Sequence, residues 1–163
     1  MIILGIDPGY GTVGYGVIRK EGDKNTAVDY GVITTPKEEN LARRLVRVGK
    51  GIEALMIQFH PDAVAVEELF FAKNVTTGIQ VAHARGVILV EVQRHCPELF
   101  EYTPMQIKQA LTGYGGADKR QIQQMVKTFL NLPAVPRPDD AADALAVALC
   151  HSQTNALARL FRI

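Results

Sequence analysis

Two cysteines are all that this chain of 163 residues holds. Cys96 and Cys150 lie far apart and match no metal-ligand spacing. A disulfide scaffold and a thiolate metal centre are therefore set aside, and two reduced thiols in a cytosolic protein is the simple reading. Long hydrophobic runs are missing as well: none approaches the roughly 18 residues that a membrane span needs. Met1-Ile2-Ile3-Leu4 runs into Asp7, Pro8 and Gly9 without a basic leader or a cleavage site. That start is expected to be a strand rather than a signal peptide, so export is not indicated and a cytoplasmic protein is expected. An excess of one charge is also lacking. A net charge of +1 argues neither for nor against nucleic acid until its distribution is known. Repeats, low-complexity tracts and long linkers are absent.

What is present suits one packed domain, with 47% hydrophobic and 21% charged residues and little length left for a second core. Residues 1–153 are expected to form that domain and residues 154–163 a flexible tail. Residues 2–7 read as a buried strand, and residues 13–20 and 26–34 as two more, joined by a turn at Glu21-Gly22-Asp23. The period then changes. Leu41, Leu45, Val48, Ile52, Leu55, Met56 and Phe59 mark an amphipathic helix. Ala63 to Val66 is a short apolar strand leading into Glu67. Val75 to Arg94 is helical and unusually apolar, and Glu98 to Tyr102 is a short strand. Pro104 opens a helix through Leu111, residues 118–130 form another, and Asp139 to His151 form an apolar last one. A meander of strands followed by alternating strands and helices predicts an α/β domain with a mixed sheet flanked by helices.

The acidic residues are placed unusually. Asp7 and Glu67 each end an apolar strand. If those strands are parallel neighbours, both carboxylates emerge at the sheet edge where open α/β sheets bind ligands. Asp140 and Asp143 share one face at the start of the last helix. Four carboxylates facing one point repel one another unless a hard divalent cation relieves them, and two such ions suit phosphodiester cleavage. Each residue has an ordinary alternative. Asp7 could cap a turn, Glu67 could be a solvated strand end, and the aspartates near 140 could be helix caps or first-turn charges, with Asp139 read as the cap.

Several blocks in order carry a resemblance. They are Ile3-Leu4-Gly5-Ile6-Asp7-Pro8-Gly9, Gly14-Tyr15-Gly16-Val17-Ile18, Val66-Glu67, Phe70-Phe71-Ala72-Lys73-Asn74, Ala84-Arg85-Gly86-Val87, Phe100-Glu101-Tyr102, Gln106-Ile107-Lys108-Gln109 and Asp140-Ala141-Ala142-Asp143. From Ile3 to about His151 the chain resembles the RuvC family of Holliday junction resolvases. The resemblance implies an RNase H-like five-stranded sheet, a homodimer acting on four-way junction DNA, and paired symmetric nicks. It implies magnesium at a site of Asp7, Glu67, Asp140 and Asp143, two ions per site, with manganese as a substitute. A branch-migration motor is implied as a companion. Lys108 and Lys119 match DNA-contacting positions, Phe70 matches a base-stacking wedge, and Lys73 and Arg120 join them as expected DNA contacts.

The residues themselves leave room for other readings. Lysines on exposed helices are commonplace, and Arg43, Arg47 and Lys50 read first as a solvated face. The apolar helix near 75–94 suits a dimer interface or a buried core helix. Two other functions fit parts of the pattern. An actin-like or sugar-kinase-like nucleotide-binding domain shares the opening strand and glycines, but it leaves Asp140 and Asp143 unexplained and needs two lobes. A non-catalytic junction-binding protein would be expected to have lost one of the four acids.

Overall fold

The structure is a computed structural model that describes residues 1–69, 75–96, 98–154 and 158–163, with backbone alone at 158 and 159. Five strands form one sheet: β1 (Ile2–Asp7), β2 (Thr12–Glu21), β3 (Lys24–Thr34), β4 (Ala63–Glu67) and β5 (Leu99–Tyr102), in the order β3-β2-β1-β4-β5. β1, β2 and β3 are antiparallel, whereas β1, β4 and β5 are parallel. The expected mixed sheet is therefore present. The β2–β3 hairpin turns at Gly22, whose φ of 59° suits a residue without a side chain. Ile3 to Ile6 and Ala63 to Val66 are buried throughout, as continuous apolar runs in strands covered on both faces should be.

Helices cover the two faces. α1 (Leu41–Phe59) and α2 (Val75–His95) pack with Leu4, Ile6, Val13, Val17, Val64, Val66 and Leu99. α3 (Pro104–Thr112), α4 (Lys119–Phe129) and α5 (Asp139–Gln153) take the opposite side, against Ile3, Ile18, Ala63, Ala65, Phe100 and Tyr102. Alternate strand residues thus feed two cores, the period-two rule of a sheet. Local signals set the helix ends. Thr103 and Asp118 each form a reciprocal capping box with Gln106 and Gln121, and Gly113 closes α3 in the left-handed region. Among the described residues no helix is long and apolar enough to cross a membrane.

Two expectations change. Leu41, counted in the apolar stripe of α1, is exposed, and Arg44 is buried on that helix instead. Asp139 is not the cap of α5. Pro138 holds that position without a side-chain bond, and Asp139 is the first helical residue, paired with Arg137 and Lys119. Described residues of the C-terminal segment meet the sheet. A short 3-10 turn, Ala158–Phe161, precedes a bridge between Arg162 and Phe100, and the Ile163 N–H donates to the Leu99 carbonyl at 3.0 Å. Phe161 lies 5.1 Å from Tyr102, ring centre to ring centre. An aromatic side chain and the unpaired edge of β5 supply the anchoring that a polar tail lacks.

Candidate active site

The parallel register of β1 and β4 places Ile6 beside Val66, so Asp7 and Glu67 leave adjacent strand ends on the same edge. α5 is brought to that edge by glycines. A Cβ on Gly14 would fall 2.0 Å from the Asp140 carbonyl oxygen, one on Gly5 2.1 Å from that of Ala144, and one on Gly16 2.8 Å from the Leu145 side chain. The helix backbone therefore rests directly on β1 and β2. Since Gly14 is opposite Asp7 in the sheet, the first turn of α5, with Asp140 and Asp143, is delivered next to Asp7. From Ala141 to Ser152 every residue of α5 except Asp143 is buried, which holds that turn rigidly.

These elements enclose a cleft of about 250 Å³ lined by Asp7, Glu67, Asp143, Lys108 and Lys119 over an apolar floor that includes Ile107 and Ile122. In the cleft the carboxylates work against one another. Burial, then repulsion from Glu67, Asp143 and Asp140, pushes the Asp7 carboxyl up to about 8. Burial also raises Glu67, opposed by the hydrogen bond it accepts from Asp7 and by Lys108 and Lys119. Asp143 is raised by burial and pulled back by Lys119. The Lys119 ammonium donates to Asp143 Oδ2 at 3.1 Å and stands 3.5 Å from Asp139 Oδ2. Among the described residues no three histidine, cysteine, aspartate or glutamate side chains are gathered tightly enough to cage an ion as they stand. A proton shared by Asp7 and Glu67 and the Lys119 ammonium on Asp143 supply the compensating positive charge.

The structure thus brings Asp7, Glu67 and Asp143 to one cleft. Asp140 adjoins it, close enough to act on Asp7 and Asp143. Glu68 is exposed, and its N–H donates to the Tyr102 carbonyl, which leaves Glu67 as the acid in the cleft. Lys108 and Lys119 both line the cleft, and the half-exposed Lys119 ammonium is paired with Asp143. Arg120 points elsewhere, into the hollow shared with Tyr114 and Gln124. Phe70 and Lys73 lie outside the described residues. Sequence reasoning missed Gly5, Gly14 and Gly16 as the seat of α5. Their alternation along β1 and β2 was the available signal.

Known proteins share this sequence and this fold. Residues 3–151 match the family described as Crossover junction endodeoxyribonuclease RuvC. A relative of that name from Alkaliphilus oremlandii is 53% identical over 163 residues, spanning 100% of this chain and 99% of its own. One from Rubrobacter xylanophilus is 56% identical over 151 residues, spanning 93% of this chain and 84% of its own. The solved structure of Thermus thermophilus RuvC matches with a TM-score of 0.89 at 37% identity over 96% of each chain. The T. thermophilus protein in complex with a Holliday junction substrate matches at 0.87 and 35%, again over 96% of each chain. Matched over nearly its whole length in both sequence and RNase H-like fold, the chain belongs to the RuvC family, the endonucleases that resolve Holliday junctions.

Proposed function

We propose that this cytoplasmic enzyme cuts four-way junction DNA in the cleft between β1, β4 and α5. Asp7, Glu67, Asp140 and Asp143 hold two divalent cations there, magnesium by preference and manganese as a substitute. The donor set fits: carboxylates without thiolate or imidazole are what hard cations take. The proton retained by Asp7 marks a point where the protein's own cations do not balance its carboxylates. Bound cations would supply a water activated for attack and stabilisation of the leaving oxygen. The chain's own groups do the rest. The backbone seat of α5 on Gly5 and Gly14 keeps Asp140 and Asp143 from drifting relative to Asp7. Lys108 and Lys119 offer ammonium groups to the phosphates of the strand being cut, which requires Lys119 to leave Asp143. Phe70 as a base-stacking wedge and Lys73 as a DNA contact enter on the family resemblance, as does a branch-migration motor. Arg120 is assigned to flanking duplex.

The dimer belongs to the same proposal. α2 exposes Val75, Ile79 and Val90 at 72%, 51% and 53%, apolar surface that a second copy would cover. Two-fold pairing would set one cleft on each of two opposed strands and so give symmetric nicks.

The convergence of Asp7, Glu67 and Asp143 from three separate elements on one cleft is the observation that carries this reading. It is tested with labelled four-way junction, linear duplex and single strand, with and without magnesium, beside Asp7→Asn. Metal-dependent nicks confined to the junction, slowed about 10³-fold or more in the variant with binding retained, are expected. Cutting by Asp7→Asn at the wild-type rate would refute the site assignment.

A further inference from the structure

Arg44 is a buried cation that is held mainly by uncharged groups. Only 8% of it is exposed, and among the described residues it forms no ion pair, since the neighbouring Glu39 is committed to Arg47. Burying a guanidinium is costly unless something else compensates it. Here the compensation comes from the loop that follows Asp7. The guanidinium carbon lies 3.7 Å from the centre of the Tyr10 ring, a favourable place for a cation. Its Nε donates to the Thr35 hydroxyl at 2.9 Å. That hydroxyl in turn donates to the Tyr10 carbonyl at 2.9 Å, and the Thr35 N–H donates to the Gly11 carbonyl at 3.0 Å. Tyr10 is thus held twice, through its ring by Arg44 and through its carbonyl by Thr35.

The loop so fastened is short. Only Pro8, Gly9, Tyr10 and Gly11 separate Asp7 at the end of β1 from Thr12 at the start of β2. It is folded closely on itself, because a Cβ on Gly9 would fall 1.9 Å from the Thr12 carbonyl oxygen. A four-residue connection has few torsions to spare, so fixing Tyr10 fixes the backbone that aims the Asp7 carboxyl. We propose that Arg44, through Tyr10 and Thr35, is a positioning residue that sets the orientation of Asp7 for cation binding. α1, whose remaining buried side chains are otherwise core packing, thereby takes part in the site. This rests on Asp7 being a cation ligand.

The test measures single-turnover junction cleavage and junction Kd across a magnesium titration, for Arg44→Ala, Thr35→Val, their double variant and Asp7→Asn. Expected for Arg44→Ala is a cleavage rate at least about tenfold lower, with half-saturation moved to higher magnesium and Kd unchanged, because displacement rather than contact is the cause. Thr35→Val should lose rate in the same manner, and Thr35→Ser, which returns the hydroxyl, should recover most of it. The double variant should be no slower than the worse single one, the mark of two residues acting through one path. Arg44→Lys should not rescue, since an ammonium cannot both stack on the ring and donate as Nε does.

Wild-type rate and half-saturation in Arg44→Ala would overturn the proposal. So would a loss of binding in step with cleavage and a shallower salt dependence, which would make Arg44 a phosphate contact. If Arg44→Ala does not fold, Thr35→Val and Tyr10→Ala decide, and wild-type behaviour in both overturns it. Cutting by Asp7→Asn would show that the site assignment itself had failed, separately from the role of Arg44.

Discussion

Gly14→Ala puts one methyl group where the structure has least room near the site. The added Cβ would stand 2.0 Å from the Asp140 carbonyl oxygen and 3.2 Å from the Asp140 Cβ. Both neighbours belong to the first turn of a buried helix, so no flexible side chain can swing away. Restoring ordinary contact requires that turn to lift from the sheet by about 1 Å or more. Overpacking of this kind costs about 1–3 kcal/mol, a fall in Tm of about 5 °C for a chain of this size. The functional cost should be larger, because the same turn carries Asp140 and Asp143, and a misplacement of about 1 Å can slow catalysis about 10²-fold. Lys108 does not rest on Gly14, so junction affinity should stay within about threefold, since only chemistry-specific stabilisation is removed. The assay is single-turnover cleavage of labelled junction at saturating protein, well below the variant's Tm. A variant that melts lower yet cuts at the wild-type rate would refute the argument. It would show that α5 absorbs the methyl without moving its carboxylates.

Asp7→Asn, besides losing cleavage, should melt higher than wild type at pH 8. The raised Asp7 carboxyl makes the folded chain bind protons that the unfolded chain has released, so stability falls as pH rises from 3.8 toward about 8, and the amide removes that loss. Equal melting temperatures would count against a strained carboxylate cluster. His151, buried against Phe100 and bonded to the Tyr102 hydroxyl at 2.8 Å, is lowered by burial, then by Lys20, to about 4 from 6.5. The unfolded chain therefore binds the extra proton first. This contribution is complete above pH 6.5 and drains away toward pH 4, about 3 kcal/mol in all. His151→Gln should flatten that part of a Tm-against-pH curve, and an unchanged slope would remove His151 as its cause. Ile79→Asp should shift the protein toward monomer in sedimentation and turn paired nicks into single ones. A stable dimer would move the interface off α2.

Much of this architecture could be read locally. The apolar runs at Ile3 and Ala63 gave parallel strands because continuous burial leaves no other use for them. The Pro8-Gly9 turn marked where β1 must stop, and with it the place of Asp7. Asp140 and Asp143 were legible as one helix face because their spacing alone fixes it. What escaped depends on partners distant in sequence. Gly14 matters only because Asp140 lands on it. Arg44 went unread, because the partners that bury it, Tyr10 and Thr35, are distant in sequence. The pairing of Lys119 with Asp139 and Asp143 likewise joins residues far apart in the chain. The contact of Ile163 with the edge of β5 is one that no local pattern announces, and Asp139 lost the cap to Pro138.

The docking of the C-terminal segment also bears on how the protein behaves at high concentration. β5 ends the sheet on one side, and an open strand edge is a template on which another chain can add a strand. The bridge from Arg162 to Phe100 and the bond from Ile163 to Leu99 occupy part of that edge, while Lys24 and Asp29 place charge along the opposite edge strand, β3. With one edge partly covered and the other charged, strand-to-strand stacking of copies is disfavoured. Association is steered to helical surface instead, so a concentrated solution should yield discrete oligomers rather than fibres.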